Sequence, residues 1–183
     1  VINGLVAEFS KLSPGSVLQV GFAGSMGGLI ALANGSAEIA GSHLWDVDSN
    51  SYNIPFIEKV LPGQQVRVYT LSSRRMGLIV AAGNPMRIEK IDDLVKPNVR
   101  FINRQKGSGT RVWLDSMLQQ MKLSGESIRG YEDERLTNSD VARGIAENFA
   151  DVGVGLESAA MAYGLDFVFL TKERYDLILF EKT

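Results

Sequence analysis

The chain has 183 residues, of which 45% are hydrophobic and 22% are charged, with a formal net charge of −2. This composition is typical of a globular protein with one domain or two small lobes, and it gives no support for direct nucleic-acid binding, which needs a basic surface. The chain has no cysteine and a single histidine, His43, which excludes disulfides and zinc sites built from thiolates or several histidines. No apolar run approaches the roughly 20 residues that span a bilayer.

The first part of the chain predicts a helix, a strand and a second helix. Residues 1–9 place their apolar side chains on one face, with no cap or strand before them, so we expect a piece trimmed from a longer protein. Residues 17–22 are interpreted as a strand, and residues 29–34 as an apolar helix. Gly24 and Ser25 form a small turn before that helix, which is a place where anions bind. The alternative is that the glycines only let the helix pack tightly on a sheet.

A short strand over residues 37–41 leads into Ser42 and His43. Ligands collect at strand ends in open α/β sheets, so both residues are candidates for contact with a ligand, and His43 is a candidate donor to an anion. The alternative is a structural histidine with a hydrogen bond near Trp45.

The middle of the chain predicts two strands, over residues 66–71 and 76–82, with residues 72–75 between them, and the end of the chain predicts two more, over residues 167–170 and 177–180. The basic pair Arg74-Arg75 is interpreted as a solvated edge rather than as part of a site. It also marks a point where the chain could pass from one lobe to another.

Residues 103–111 carry the strongest functional signal. They connect a predicted strand at 99–102 to an amphipathic helix at 110–121, whose first N–H groups and dipole favour an anion. The glycines allow close approach of the backbone, the hydroxyls donate, and three cations have no acid within the segment to balance them. The residues singled out here are Arg104, Ser108, Gly109, Thr110 and Arg111. The alternative is that Ser108 or Thr110 is an ordinary N-cap and that the cations are solvated.

Three segments together resemble the periplasmic-binding-protein-like domain related to molybdate and tungstate receptors. This domain is found fused to molybdopterin-biosynthesis proteins or to helix-turn-helix regulators. The segments are residues 40–46, 83–85 and 103–111, and the likeness continues through residues 130–132, Thr137 and residues 151–155.

The resemblance implies an α/β fold of the class II periplasmic-binding-protein type, with two α/β lobes around a ligand cleft. Residues 1–72 and 168–183 would form lobe 1, without the first strand that family members usually have, and residues 73–167 would form lobe 2. Crossings are expected near residues 72–75 and near Leu170. The shortened N-terminus could weaken binding.

The implied ligand is a small tetrahedral oxyanion such as molybdate or tungstate, and no cofactor or metal is expected. Neutral hydroxyl and N–H donors would contact it, while Arg104 and Arg111 would supply charge or brace the loop. The implied ligand-binding set is Gly24, Ser25, Ser42, His43, Arg104, Ser108, Gly109, Thr110, Arg111 and Thr137. Many relatives have histidine where this chain has Asn138.

We therefore expect a non-enzymatic binding domain for transport or sensing, with a transporter, a molybdopterin-biosynthesis domain or a DNA-binding domain as partner. The expected location is cytoplasmic, or periplasmic if a leader has been removed. An alternative is a sensor for a small organic anion or a molybdenum-cofactor precursor, which a wide cleft lined by Trp45 and Tyr131 would favour. An enzyme acting on a phosphorylated substrate is disfavoured because no nucleophile and base are paired.

Overall fold

The computed structural model describes the backbone of residues 2–181 and the side chains of residues 4–181. The first residue of the predicted opening helix and the last two residues of predicted lobe 1 lie outside this range. In chain order the helices and strands are α1 (Ile2–Leu12), α2 (Gly24–Ala33), β1 (Ile39–Ser42), β2 (Trp45–Asp46), β3 (Ser51–Tyr52), α3 (Ile54–Val60), β4 (Val66–Val80), a 3-10 helix (Ile91–Val95), β5 (Phe101–Arg104), α4 (Gly109–Gln120), a second 3-10 helix (Gly125–Ser127), β6 (Glu134–Arg135), α5 (Asn138–Ala146), β7 (Val152–Leu156), α6 (Glu157–Ala162) and β8 (Asp166–Phe180).

Two long strands organise the fold. β4 and β8 are each 15 residues long and pair antiparallel along their whole length. The main sheet has the order β1-β8-β4-β7-β5-β6, with β5 parallel to β6 and β7 and the other pairs antiparallel. β1 pairs with the C-terminal end of β8, and β7 pairs with the C-terminal end of β4. Because β4 and β8 are antiparallel, these two ends lie at opposite ends of the ladder, and a separate group of helices and strands packs at each.

The buried apolar side chains pack in separate groups on the two sides of the molecule. On one side, Leu29 of α2 and Ile57 of α3 pack with Ile178 of β8, and we call this side lobe 1. On the other side, β4 divides two layers, because Met76, Leu78 and Val80 face one buried cluster while Ile79 faces another. This is the period-two alternation of a strand covered on both faces, and we call this side lobe 2.

The crossing between the lobes is a short polar ladder with an irregularity at each end. Residues 72–76 of β4 pair with residues 171–175 of β8, and the register shifts between Thr70 and Ser72 and again between Met76 and Gly77. The first shift leaves Leu71 of β4 without an opposite residue, and the second leaves Leu170 of β8 without one. Bulges of this kind bend a strand and increase its twist.

The prediction of four separate strands in these regions was wrong. Residues 66–71 and 76–80 belong to one strand, β4, which ends two residues before the predicted end, and the two strands expected at 167–170 and 177–180 are both part of β8. The polar residues in each middle interrupt the apolar pattern, but their backbone groups still pair across the ladder. The predicted lobe boundaries fall within these two strands and stay predictions.

The strand predicted over residues 17–22 was also wrong. These residues have no regular structure, and Val17 and Phe22 are largely exposed. Apolar residues alone do not make a strand, because a strand needs a neighbour to accept its backbone hydrogen bonds. The helix expected at 29–34 begins earlier, at Gly24, so the glycine-serine turn forms its first turn.

Substitution of Gly77 tests how much the stability of the protein depends on the close pairing of β4 with β8. A Cβ atom at this position would overlap the Val168 carbonyl oxygen of the neighbouring strand, which is backbone and cannot turn away. We expect Gly77→Ala to lower the free energy of unfolding by about 1–3 kcal/mol, measured by chemical denaturation. Gly21→Ala is the matched control, because a Cβ atom there would meet no atom within 4 Å. Equal stabilities for the two variants would contradict this account of the crossing.

Candidate functional site

The two glycine-serine segments meet across the gap between the lobes. The N–H of Met26, in the first turn of α2, donates to the carbonyl oxygen of Gly107, just before α4, at 3.1 Å. Gly24 has φ +72°, and a Cβ atom there would lie 3.6 Å from Ser108 Cα. The structure therefore brings together the two predicted anion-binding turns, and it holds them in direct backbone contact.

At the start of α4, the two hydroxyl residues have different roles. Ser108 is the N-cap, and its Oγ accepts a hydrogen bond from the N–H of Arg111 at 3.2 Å. Thr110 is 1% exposed, and its Oγ1 has no hydrogen-bond partner among the described residues. The capping alternative is correct for Ser108, and Thr110 has the free hydroxyl.

Lobe 1 contributes the end of β1 to the same region. Ser25 Oγ accepts a hydrogen bond from the backbone N–H of His43 at 3.2 Å, and Ser42 Oγ is buried with no partner among the described residues. The His43 ring reaches across to α4, where a Cβ atom on Gly109 would collide with its Nδ1 and with its backbone oxygen. Only glycine at position 109 allows this close approach.

The crossing strands contribute a buried ion pair that the sequence interpretation missed. Arg74 of β4 lies directly opposite Glu173 of β8, with Arg74 NH2 and Glu173 Oε1 2.5 Å apart. His43 Nδ1 lies 3.0 Å from the other carboxylate oxygen, Oε2. The carboxylate is 2% exposed. The angles of both contacts fall outside hydrogen-bond geometry, so the carboxylate oxygens and the Arg74 donors keep hydrogen-bonding capacity.

The charges in this region shift each other's pKa. Burial disfavours ionisation of Glu173, but His43 and Arg74 outweigh this effect, and the pKa of Glu173 lies below its ordinary value. Burial lowers the pKa of Arg104 to about 10, with the Glu173 charge opposing the change and the Arg74 charge adding to it. Arg104 therefore stays charged at neutral pH and lies close enough to feel both residues.

We define the interlobe cluster as Ser42, His43, Arg74, Arg104, Thr110 and Glu173. Arg104 is partly used within lobe 2, because its Nε donates to the Arg135 carbonyl oxygen at 3.3 Å and its NH2 to the Leu136 carbonyl oxygen at 2.8 Å. These bonds fix the guanidinium at the edge of the cluster. The sequence predicted Arg104 as a source of charge or a brace for the loop, and the geometry shows the bracing contacts.

The structure does not bring Arg111 into the cluster. Its guanidinium stacks on the Tyr131 ring, with 4.1 Å from Cζ to the ring centroid, and pairs with Asp115 at 2.8 Å and with Glu134 at 3.3 Å. These three neighbours satisfy the cation within lobe 2, where it braces the segment before α4.

Thr137 is occupied in a similar way. It is the N-cap of α5, and its Oγ1 accepts from the N–H of Asp140 at 3.0 Å and donates to the Asp140 carboxylate at 2.7 Å. Its ligand role stays a prediction, as do the ligand roles of the other residues implied by the resemblance.

Arg74 could have been found from the alternation of a continuous strand. Within β4, Arg74 points into the cluster, whereas Arg75 points to the other face, where it contacts Glu157 at 2.8 Å and lies 4.4 Å above the Phe169 ring. The sequence interpretation treated both arginines as a solvated edge, which was wrong for Arg74. Its partner Glu173 is almost 100 residues away in the chain, and no local pattern connects the two.

The described residues show two surface depressions outside the cluster. One, of about 490 Å3, is bordered by Tyr131 and neighbouring residues 124–133. The other, of about 420 Å3, is bordered by Trp45, Phe56 and Val112. Trp45 and Tyr131 therefore line separate depressions rather than the single wide cleft that the organic-anion alternative would favour.

Two further classes of site are absent from the described part of the chain. Among residues 4–181, no group of three or more histidine, cysteine, aspartate or glutamate side chains is placed to hold a metal ion. No helix within residues 2–181 has the length and apolar character needed to cross a membrane.

Comparisons with known proteins identify the family of the chain. Residues 6–183 match the family model described as the PBP superfamily domain. The chain belongs to the PBP superfamily. A curated relative, YvgK of Bacillus subtilis (strain 168), is 34% identical over 161 residues, which are 88% of this chain and 52% of YvgK. The chain thus spans about half the length of that relative.

Solved structures confirm the predicted fold class, a mixed α/β fold of the class II periplasmic-binding-protein type. The CcmR regulatory domain of Synechocystis PCC6803 in complex with 2-PG has a TM-score of 0.72 at 16% identity, covering 100% of this chain and 82% of that one. A putative phosphate ABC transporter substrate-binding protein from Clostridium perfringens with bound phosphate has a TM-score of 0.68 at 11% identity. The match covers 98% of this chain and 81% of that one. At these identities the likeness concerns the fold alone, and the expected relation to molybdate and tungstate receptors stays a prediction.

The lowered pKa of Glu173 predicts how stability depends on pH. A carboxylate whose pKa is lower in the folded state stabilises the fold above its unfolded pKa of about 4.3, and this contribution disappears as the pH falls through the folded pKa. Glu173→Gln should therefore lower the free energy of unfolding near pH 7 by about 3 kcal/mol, and the difference from the wild type should shrink below about pH 4.

Denaturation curves at a series of pH values measure this difference. Glu157→Gln is the matched control, because Glu157 forms a half-exposed pair with Arg75 and should change stability by no more than about 0.5 kcal/mol. A Glu173→Gln deficit that is the same at pH 3 and pH 7 would contradict the linkage.

Proposed function

We propose that the interlobe cluster binds a small anion and that this binding, rather than catalysis, is the function of the domain. The observation that carries the proposal is a pair of buried donors with no hydrogen-bond partner among residues 4–181, namely Arg74 Nε and Thr110 Oγ1. Buried polar groups in folded proteins are nearly always paired, so a convergent group of unpaired donors is typical of a ligand site.

Charge and helix geometry support an anion in particular. Arg74 and Arg104 carry two positive charges against the single negative charge of Glu173, which leaves the cluster at least one positive charge in excess. Thr110 lies in the first turn of α4, where unpaired N–H groups and the helix dipole add to the attraction. The bound anion would contact Thr110 of lobe 2 and Arg74 of the crossing at the same time.

The proteins of similar fold support a small anionic ligand. The Clostridium perfringens protein holds phosphate, and the CcmR regulatory domain is in complex with 2-PG. For this chain, molybdate and tungstate are the members of the class that the sequence resemblance implies. A small organic anion is the second candidate, and the CcmR complex with 2-PG is the observation that favours it.

Ligand binding would act by holding the lobes together. The lobes already touch through the hydrogen bond from Met26 to Gly107 and through His43 against Gly109, and a bridging anion would favour this closed arrangement over an open one. The signal would pass to a transporter, a biosynthetic domain or a DNA-binding domain. A cytoplasmic sensor and a periplasmic receptor are both compatible with this mechanism.

Arg74 and Arg75 provide a test within one strand. Arg74→Gln removes a charged donor from the cluster and should weaken anion binding by about ten- to a hundredfold, as expected for one hydrogen bond to a charged group. Arg75→Gln, on the opposite face of β4, should leave the affinity unchanged within about threefold. Isothermal titration calorimetry on both variants measures the difference, and equal affinities would contradict the assignment of the site.

The ligand class is tested by thermal shifts with molybdate, tungstate, sulfate, phosphate and a small organic anion such as phosphoglycolate. A bound ligand stabilises the folded protein, by about 4 kcal/mol at a thousandfold excess over Kd. Thr110→Val should reduce the shift because it removes the free hydroxyl. If none of these anions raises the melting temperature of the wild type, the proposed function is wrong.

A further inference from the structure

The guanidinium of Arg74 lies over an aromatic ring of the neighbouring strand. Arg74 Cζ is 4.2 Å from the centroid of the Tyr175 ring. Tyr175 belongs to β8 and pairs with Ser72, two residues before Arg74 in β4. A guanidinium at this distance is attracted by the electrons on the face of the ring. Because this attraction acts through the flat face of the guanidinium, it leaves the N–H donors at its edge available for other partners.

Gly41 of β1 leaves the space in which the Tyr175 ring lies. A Cβ atom at Gly41 would overlap the Tyr175 hydroxyl oxygen and would lie 2.7 Å from Tyr175 Cζ. The ring of His43, two residues further along, has its centroid 5.7 Å from that of Tyr175. Burial raises the pKa of Tyr175, and the charge of Arg74 opposes the rise, so the phenol is neutral at physiological pH. Lobe 1 therefore holds a neutral ring against Arg74.

The ring supplies a constraint on Arg74 that its ion pair does not. The pair with Glu173 holds the guanidinium at NH2, 2.5 Å from Oε1, but one contact at one end still allows the group to turn. The Tyr175 ring fixes one of its faces as well. Arg74 Nε is buried and has no hydrogen-bond partner among the described residues. A long side chain that is already ordered loses less conformational entropy when it binds a ligand.

From these contacts we propose that Tyr175 is a positioning residue of the anion site. Its ring orders the guanidinium of Arg74 before the ligand arrives, so that the unpaired Nε–H is available to the anion. Tyr175 acts through Arg74 and through the face of its ring, and Gly41 serves the same role by leaving room for that ring. The inference rests on the proposed function, because Arg74 must contact the bound anion.

The experiment measures affinity by calorimetry with the one anion, among molybdate, tungstate, sulfate, phosphate and phosphoglycolate, that binds the wild type most tightly. Tyr175→Leu should weaken binding by about three- to thirtyfold, the range of cation–π attraction to a partly buried arginine. Tyr175→Phe keeps the ring and should restore the affinity to within about twofold. Phe169→Leu is the matched control, because Phe169 lies 4.4 Å from Arg75 Cζ on the other face of β4, and it should leave the affinity unchanged.

Two double-variant comparisons separate positioning from a general structural role. In the Arg74→Gln protein, Tyr175→Leu should weaken binding by less than about twofold further, because the group that the ring orders is gone. Gly41→Ala should weaken binding in the presence of Tyr175, since its Cβ displaces the ring. In the Tyr175→Leu protein, Gly41→Ala should change the affinity by less than about twofold. Losses that simply multiply in either comparison would overturn the role of Tyr175.

The outcomes also separate this role from the proposed function. Binding that is weakened by Arg74→Gln but equal in the wild type and Tyr175→Leu would overturn the role of Tyr175 and support the anion site. A loss in Tyr175→Leu that Tyr175→Phe does not restore would overturn it too. If Tyr175→Leu does not fold, Gly41→Ala alone decides, and unchanged affinity there would overturn the role. Failure of the wild type to bind any of the five anions would overturn the proposed function and this role with it.

Discussion

The contact on which the site depends is the buried pair of Arg74 and Glu173 across the two crossing strands. A carboxylate that is 2% exposed needs positive neighbours, and Arg74 and His43 supply them from the crossing and from lobe 1. Removing either partner would leave an uncompensated buried charge, which costs several kcal/mol. The same pair sets the electrostatics for a ligand, because it places a positive donor and a negative acceptor side by side at the point where both lobes meet.

Local signals in the sequence predicted the parts of the site that lie on helix ends. The glycines and hydroxyls of residues 103–111 and the Gly24-Ser25 turn predicted two anion-binding helix N-termini, and the structure places them together. The roles of individual residues were harder to predict. Ser108 and Thr110 are two positions apart and both fit a cap, and only the turn of the chain at α4 decides that Ser108 caps and Thr110 stays free.

Tertiary pairing explains what the sequence could not predict. The polar residues 72–75 interrupt the apolar pattern of β4, so they were interpreted as a break, although their backbone pairs with β8. The interaction of Arg74 with Glu173 depends on that pairing across almost 100 residues. Conversely, residues 17–22 have the apolar composition of a strand but pair with no strand among the described residues. Composition predicts which residues are able to form a strand. Whether they form one depends on a neighbouring strand that can pair with their backbone groups.

The bulges at Leu71 and Leu170 have a consequence for how the protein could open. Between them, Arg74 and Glu173 belong to one short ladder that is part of neither lobe. If the lobes rotate about the irregular points at its ends, the ladder moves as a unit, and the spacing of Arg74 and Glu173 is preserved. The contacts of His43 with Gly109 and of Met26 with Gly107 would separate instead. In such an open form, the charged pair would keep its geometry at the crossing and would be in place for the first contact with a ligand before the lobes close.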